Sequence, residues 1–370
     1  MSQEKSANSL APERSTPDGR VRLYAGDCRE ILAGLVEARK HAVDLVFADP
    51  PFNWSRAYDR WETTGAKQAG GRAVRDSAGG YDTWDDAIPR EDYLAFTHQW
   101  ISACVNALRP GGSLWINIPD DTAAEIVVYV KNTLKLPLVN WCIWHYRFGQ
   151  NRASAFINSK VHALHFVKPG GLAMWRPERI LEPSDRATTY FDPRTLSKKD
   201  GMPAGMRLPM DVWYGQFWGR VQGNNKERRP GHDNQLPEAY LERVILACSD
   251  EDQLVLDPFL GSGTTGTVAQ SYNRRFIGCE FSRANLLSAY QRITEIGMID
   301  KGKALGQSTA IFKERSASDG AKARTRVTPV AIESEADAPA SPPASLTPPR
   351  PRKAPKPNAT KPTTRRPRMP

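Results

Sequence analysis

Nowhere along the 370 residues is there an uninterrupted apolar run of the ~20 residues that a membrane-spanning helix needs. The polar start, Met1 to Arg20, also lacks the apolar centre of a secretory signal. A soluble, cytoplasmic protein with no membrane partner is expected. Cysteine is scarce as well: Cys28, Cys104, Cys142, Cys248 and Cys279 lie far apart and form no C-x-x-C pair, which argues against a zinc ribbon or a redox dithiol. They are expected to be reduced and mostly buried, and no metal site is expected. His162 and His165 sit in the strand-like stretch Val161 to Val167, where residues three apart face opposite sides, so packing is their expected role.

Outside one segment, the chain also lacks any excess of positive charge. The formal net charge is +10, yet residues 301–370 hold 15 Lys and Arg against 5 Asp and Glu, leaving 36 of each sign before them. Overall basicity is therefore weak ground for assigning a nucleic-acid partner to the rest of the chain. What is present is enough apolar material, 40% of residues, to build the core of a globular enzyme of one large domain or two ordinary ones.

From Val21 short apolar runs alternate with amphipathic stretches, the signature of an α/β sheet. Val43 to Ala48 (VDLVFA) reads as a buried strand. Glu91 to Leu108 reads as a helix ending at Arg109-Pro110-Gly111-Gly112, and Ser113 to Ile118 as the next strand. Residues 170–235 break the rhythm with Pro, Gly, Arg and Trp. Pro237 to Cys248 then reads as helix, Leu254 to Leu256 as strand, Gly263 to Tyr272 as helix, Arg275 to Cys279 as strand and Ser282 to Met298 as helix. The composition of Ser316 to Pro370 cannot bury enough apolar surface to offset chain entropy and predicts disorder. Tyr58 to Gly80, glycine-rich and without apolar rhythm, is a second candidate for mobility.

Two segments carry chemistry. Asp49-Pro50-Pro51-Phe52 follows directly on VDLVFA, at the carboxyl end of a sheet strand, where open α/β sheets bind their ligands. Proline restricts its own φ and the residue before it, so the Asp49 carboxylate and the Pro50 carbonyl are held in set directions. Two acceptors can then converge on one NH₂ group. Phe52 offers a ring face on which an extruded base can stack. A Pro-Pro turn that merely ends a strand is the bland reading of Pro50-Pro51 alone.

The second segment is Leu254 to Thr265 (LVLDPFLGSGTT), an apolar strand running through a glycine-rich turn into a helix. Gly261 and Gly263 permit close approach, and the new helix offers unpaired N–H groups. Glu280 lies nineteen positions after Gly261 at the end of the next strand, where an acid can reach ribose hydroxyls. Gly261 to Gly266 also satisfies G-x-G-x-x-G, so this motif alone does not separate an adenosylmethionine site from a dinucleotide site. The flanking residues do. Asp257-Pro258-Phe259-Leu260 intervenes between strand and glycine and brings an acid to where a cationic methionine moiety would lie. No Lys follows the glycines, which removes a Walker A loop.

Together the two segments resemble the DNA amino-methyltransferases that act on adenine N6 or cytosine N4, and their order resembles the circularly permuted β class. The resemblance covers most of residues 21–298. It implies a Rossmann-like α/β fold, a mostly parallel sheet with helices on both faces, and S-adenosylmethionine as cofactor. It implies catalytic roles for Asp49, Pro50, Pro51 and Phe52. Asp257, Phe259, Gly261, Gly263, Thr264 and Glu280 would bind the cofactor, and Asp27, in Tyr24-Ala25-Gly26-Asp27-Cys28, would meet its adenine. Gln235-Leu236-Pro237 also fits, although the family usually has Lys where Leu236 stands. Asp rather than Ser before Pro-Pro resembles the adenine-modifying members. No Pro precedes any cysteine, which leaves a C5-cytosine mechanism without its nucleophile.

The implied organisation is a flexible N-terminus (1–20), a catalytic half (21–169), a target-recognition region (170–235), a cofactor-binding half (236–313) and a disordered basic tail (314–370). In the recognition region Arg176, Arg179, Arg186, Arg194, Lys198, Lys199, Arg207, Arg220, Lys226, Arg228 and Arg229 offer phosphate and guanine contacts. Trp213, Tyr214, Phe217 and Trp218 are expected to pack. The implied partner is double-stranded DNA, and a homodimer and a cognate restriction endonuclease are compatible with the resemblance. An RNA methyltransferase would share much of the chemistry, and a nicotinamide-dependent oxidoreductase is the remaining rival.

Overall fold

VDLVFA is buried from end to end as strand β3 (Val43–Ala48), and from Leu45 onward its side chains alternate between two cores. Val46 and Ala48 face one hydrophobic cluster, and Leu45 and Phe47 the other. This is the period of two expected of a strand covered on both faces. The computed structural model describes residues 10–35, 40–53, 87–146, 154, 156–195, 203–214, 221, 227–229, 232 and 235–296, all within the unit Met1–Ser318. The proposed mobility of Tyr58 to Gly80 and disorder of Ser316 to Pro370 lie outside these residues, as do Trp54, Lys198, Lys199, Phe217, Trp218, Arg220 and Lys226.

The chain forms β1 (Arg14–Ser15), β2 (Val21–Ala25), α1 (Cys28–Gly34), β3, α2 (Arg90–Ala107), β4 (Leu108–Ile118), α3 (Ala123–Asn132), β5 (Leu138–His145) and β6 (Lys160–Val167). Short pieces follow: β7 (Glu182–Pro183), α4 (Asp185–Thr188), β8 (Met206–Arg207) and β9 (Val212–Trp213). The last part is α5 (Glu238–Cys248), β10 (Leu254–Asp257), α6 (Thr264–Ser271), β11 (Arg275–Glu280) and α7 (Arg283–Ile296). Nine strands form one sheet in the order β1-β2-β11-β10-β3-β4-β6-β5-β9. The five strands from β2 to β4 run parallel, while β6 is antiparallel to both β4 and β5.

Helices cover both faces, as expected. Residues of α1, α2 and α3, among them Ile31, Trp100 and Ile126, pack in one core, and residues of α5, α6 and α7, among them Tyr240, Val268 and Ile293, pack in the other. Helix α2 starts after Pro89 with Glu91 and Asp92 in its first turn, where acids oppose the helix dipole. All five cysteines are buried and unpaired. His165 stacks on Trp115 with ring centroids 4.5 Å apart, and His162 accepts a hydrogen bond from Trp141 Nε1 at 2.8 Å, so both serve packing. No described helix is long and apolar enough to cross a membrane.

The described part of residues 170–235 is built into the fold. Strand β9 adds to the main sheet beside β5, and Trp213 is buried as expected. Tyr214, expected to pack, is instead exposed, because it follows the end of this edge strand and alternates with the inward-facing Trp213.

Candidate active site

The parallel strands bring their carboxyl ends to one edge, and each ends in a polar residue singled out by position. In spatial order β2 leads to Asp27, β11 ends on Glu280, β10 on Asp257, β3 leads to Asp49, and β4 carries Asn117 next to its last residue. Register aligns them: Glu280 pairs with Ala25, Leu256 with Val46, and Ala48 with Ile116. From β3 the chain passes to β4 on one side, and from β10 to β11 on the other, so the connections diverge between Asp49 and Asp257. A crevice outside the strand ends at such a switch point is where open α/β sheets bind ligands.

The Asp49 loop is braced from several elements. Asn117 Nδ2 donates to Asp49 Oδ1 at 3.1 Å, and the Tyr93 hydroxyl on α2 donates to the Pro51 carbonyl at 2.9 Å. Asn53, in the left-handed region at φ 57°, uses its whole amide on the backbone of Ile88: Nδ2 donates to the Ile88 carbonyl at 2.8 Å and Oδ1 accepts from its N–H at 3.0 Å. Asn tolerates that φ better than most residues. Phe52 is buried against the core that also holds Trp144, Tyr146 and Tyr240.

The glycine loop is built around two acids. Phe259 N donates to Asp257 Oδ1 at 2.9 Å, and the Thr265 hydroxyl bonds to the same carboxyl. Glu280 accepts from Gly261 N at 2.8 Å and from Ser282 N at 3.0 Å, which ties the loop to the end of β11. Gly263 has φ 77°, and a Cβ there would lie 2.9 Å from Ala289 Cβ on α7. Gly263→Ala should therefore cost about 2–4 kcal/mol, a left-handed backbone penalty plus overpacking, read from the urea midpoint.

Burial pushes the Asp257 carboxyl up to about 7, opposed by the Thr265 and Phe259 hydrogen bonds and reinforced by the negative charges of Asp49 and Glu280. In the fold Asp257 thus keeps its proton at pH values where the unfolded chain has lost it. Its contribution to stability is complete below about pH 4, the ordinary range for Asp, and is lost as pH rises through about 7. Burial also raises Glu227 to about 7, so the two effects must be separated. The thermal midpoint of the wild type is expected to fall more steeply between about pH 4 and 7 than that of Asp257→Asn.

Other sequence-derived site residues have partners within the protein. Asp27 caps α1: its carboxylate accepts from Arg29 N at 2.8 Å and pairs with the Arg29 guanidinium at 2.6 Å. Burial raises that carboxyl, but the Arg29 contacts outweigh it and hold it below the usual range. Phe259 sets its ring edge-on to Trp100 and Phe96, with centroids 5.1 and 6.3 Å away, under the α2 face. The Thr264 hydroxyl is buried and accepts from Arg292 Nη1 at 2.9 Å. Arg292 also bonds the Ser262 carbonyl at 3.1 Å and Glu238 at 2.7 Å, a buried cation beneath the loop that sequence reading missed. Leu236, in the position where Lys was noted as usual, is buried, and its carbonyl accepts from Thr264 Oγ1 at 3.4 Å.

Several arginines expected to face nucleic acid have carboxylate partners. Arg176 and Arg179 pair with Asp250, Arg186 and Arg194 with Asp192, and Arg207 with Glu182 and Asp185. Asn117 and Tyr240 were also missed. Asn117 was detectable as the lone amide in the apolar run Leu114 to Ile118, whereas Tyr240 looked like one more apolar residue of an amphipathic helix.

Comparison with known proteins identifies the family. The type II methyltransferase M.HpaI of Haemophilus parainfluenzae is 27% identical over 72% of this chain and 73% of its own length. The type II methyltransferase M.BamHI of Bacillus amyloliquefaciens is 28% identical over 80% of this chain and 62% of its own. Among solved structures, the PvuII DNA methyltransferase, cytosine-N4-specific, matches with a TM-score of 0.49 at 15% identity, covering 75% of this chain and 90% of that one. Residues 43–291, which hold both loops, match the model of the N6/N4 DNA methylases, and the chain belongs to that DNA methylase family.

Proposed function

We propose that the protein transfers a methyl group from S-adenosylmethionine to the N6 amino group of adenine in double-stranded DNA, with the base extruded into the crevice between Asp49 and Asp257. The observation that carries this reading is the pairing of two acids at the ends of adjacent parallel strands, where the connections of the sheet diverge. Repulsion among Asp49, Asp257 and Glu280 disfavours an anionic ligand and favours a cationic one. A sulfonium carrying an α-ammonium group suits this acidic edge, and the Gly261 to Gly263 turn brings backbone close enough to hold it. When bound, the cofactor supplies an electrophilic methyl group.

The chain's own residues prepare the nucleophile. An exocyclic amine is weakly nucleophilic because its lone pair is delocalised into the ring. The Asp49 carboxylate and the Pro50 carbonyl accept its two hydrogens, which favours a more tetrahedral nitrogen, and Phe52 supplies an apolar face for the base. Asp257 and Glu280 hold the cofactor from the neighbouring strands. Asp before Pro-Pro supports adenine as the base. Residues 170–235 are assigned to target recognition, where phosphate contacts must compete with the ion pairs already made there.

Because a ligand that binds only the folded chain stabilises it by RT ln(1+[L]/Kd), S-adenosylmethionine at a hundredfold excess over Kd should add about 2.7 kcal/mol. The melting temperature should rise with this cofactor and stay unchanged with a nicotinamide dinucleotide. The reverse result would overturn the assignment. Binding a cation needs Asp257 ionised, so affinity should weaken as pH falls through about 7 in the wild type, and less in Asp257→Asn, as read by calorimetry.

A further inference from the structure

We infer that Asn117 and Tyr240 form a positioning relay for Asp49, in which a buried phenol orients an amide and the amide orients the carboxylate. The inference rests on the methyl-transfer reading above. Tyr240 Oη donates to Asn117 Oδ1 at 2.6 Å, and Asn117 Nδ2 donates to Asp49 Oδ1 at 3.1 Å. Tyr240 is fully buried in the first turn of α5, and Asn117 is 1% exposed near the end of β4, so neither side chain can exchange these partners for bulk water.

The direction of the relay follows from the inventory of donors and acceptors. An ionised carboxylate only accepts, so Asn117 must turn its NH₂ toward Asp49. Its oxygen then faces Tyr240, whose hydroxyl must donate. Burial, reinforced by the charge of Asp49, raises the Tyr240 phenol well above its ordinary range, so the proton it donates is retained. The phenol is itself immobilised: Phe47, Trp144 and Trp213 set their rings edge-on to it, with centroids 5.7, 5.6 and 5.1 Å away. Phe47 lies two residues before Asp49 on β3, so donor and final acceptor are fastened to one strand.

The consequence is pre-organisation. Without the hydroxyl, the amide loses the contact that fixes its orientation, and a flipped amide would point its oxygen at the carboxylate and repel it. Asp49 would then have to be realigned at the moment it accepts the amine hydrogen. Misplacement of a group that acts on the reacting nitrogen lowers the rate of the chemical step more than it lowers binding.

Three forms of the full-length chain test the relay: Tyr240→Phe, Asn117→Leu and the double variant, assayed for kcat and for KM of both S-adenosylmethionine and DNA. Tyr240→Phe is expected to lower kcat by about tenfold or more with both KM values nearly unchanged. In the Asn117→Leu background, removing the hydroxyl should have little further effect, because its influence passes through the amide. Full kcat in Tyr240→Phe, a change confined to KM, or multiplicative losses in the double variant would overturn the relay. Should Asn117→Leu fail to fold, the kcat-to-KM split of Tyr240→Phe decides alone. Failure of the wild type to methylate any DNA would instead overturn the methyl-transfer reading, so the two failures are distinguishable.

Discussion

Asp49→Ala is expected to lower kcat for methyl transfer by about 10³-fold or more while leaving S-adenosylmethionine affinity within about threefold of wild type. The carboxylate lies beyond the end of β3, whereas the glycine loop is fastened through Glu280 and Asp257 on the neighbouring strands. Removing the Asp49 side chain deletes an acceptor aimed at the amine and leaves the loop contacts intact. It also removes one of the negative charges that raise Asp257. The Asp49 charge also attracts the cationic ligand directly, so the two electrostatic effects oppose one another, and a large change in cofactor affinity in either direction would contradict the account. Stopped-flow or single-turnover transfer, with affinity measured separately by calorimetry, separates the two effects.

The second large effect is expected at Glu280. Its carboxylate accepts from Gly261 N and Ser282 N, so Glu280→Ala leaves two backbone donors at the end of β11 without their acceptor, in addition to the proposed loss of the ribose contact. At about 1–3 kcal/mol for each donor left unsatisfied the folded loop is destabilised, and with the loop loosened and the ribose contact gone cofactor affinity should fall by roughly 100-fold. Glu280→Gln keeps one amide oxygen but turns an NH₂ toward the other N–H, and should fall between wild type and Glu280→Ala. Calorimetric titration of the three forms provides the comparison. Equal affinities would mean that the loop holds its shape without Glu280.

Much of this architecture was legible in the sequence because periodicity and punctuation agreed. The apolar run Val43 to Ala48, the end of the helix just before Arg109-Pro110 and the glycine turn after Leu254 to Asp257 each marked an element that the structure forms. Strand β5 and helix α3 were harder. Asn140-Trp141-Cys142 leaves β5 without a clean alternation, and α3 is a short helix after Asp120-Asp121. The pairing of β9 with β5 depends on residues nearly seventy positions apart and has no local signature.

The candidate site was legible where a motif concentrates its residues, as at Asp49 to Phe52 and Asp257 to Gly263. It was illegible where distant positions cooperate. Asn117 and Tyr240 are 123 residues apart and meet only because β4 and α5 pack at the same strand edge. Arg292 reaches the glycine loop from the last described helix, which a pattern of apolar residues could only read as packing.

The most direct test of the central claim is nucleoside analysis of unmodified duplex DNA after incubation with labelled S-adenosylmethionine and either wild type or Asp49→Ala. The account predicts label in N6-methyladenine with the wild type and none with the variant. Label in N4-methylcytosine would contradict the assignment of adenine. No transfer to several DNAs by a chain shown to bind the cofactor would contradict the methyl-transfer account itself.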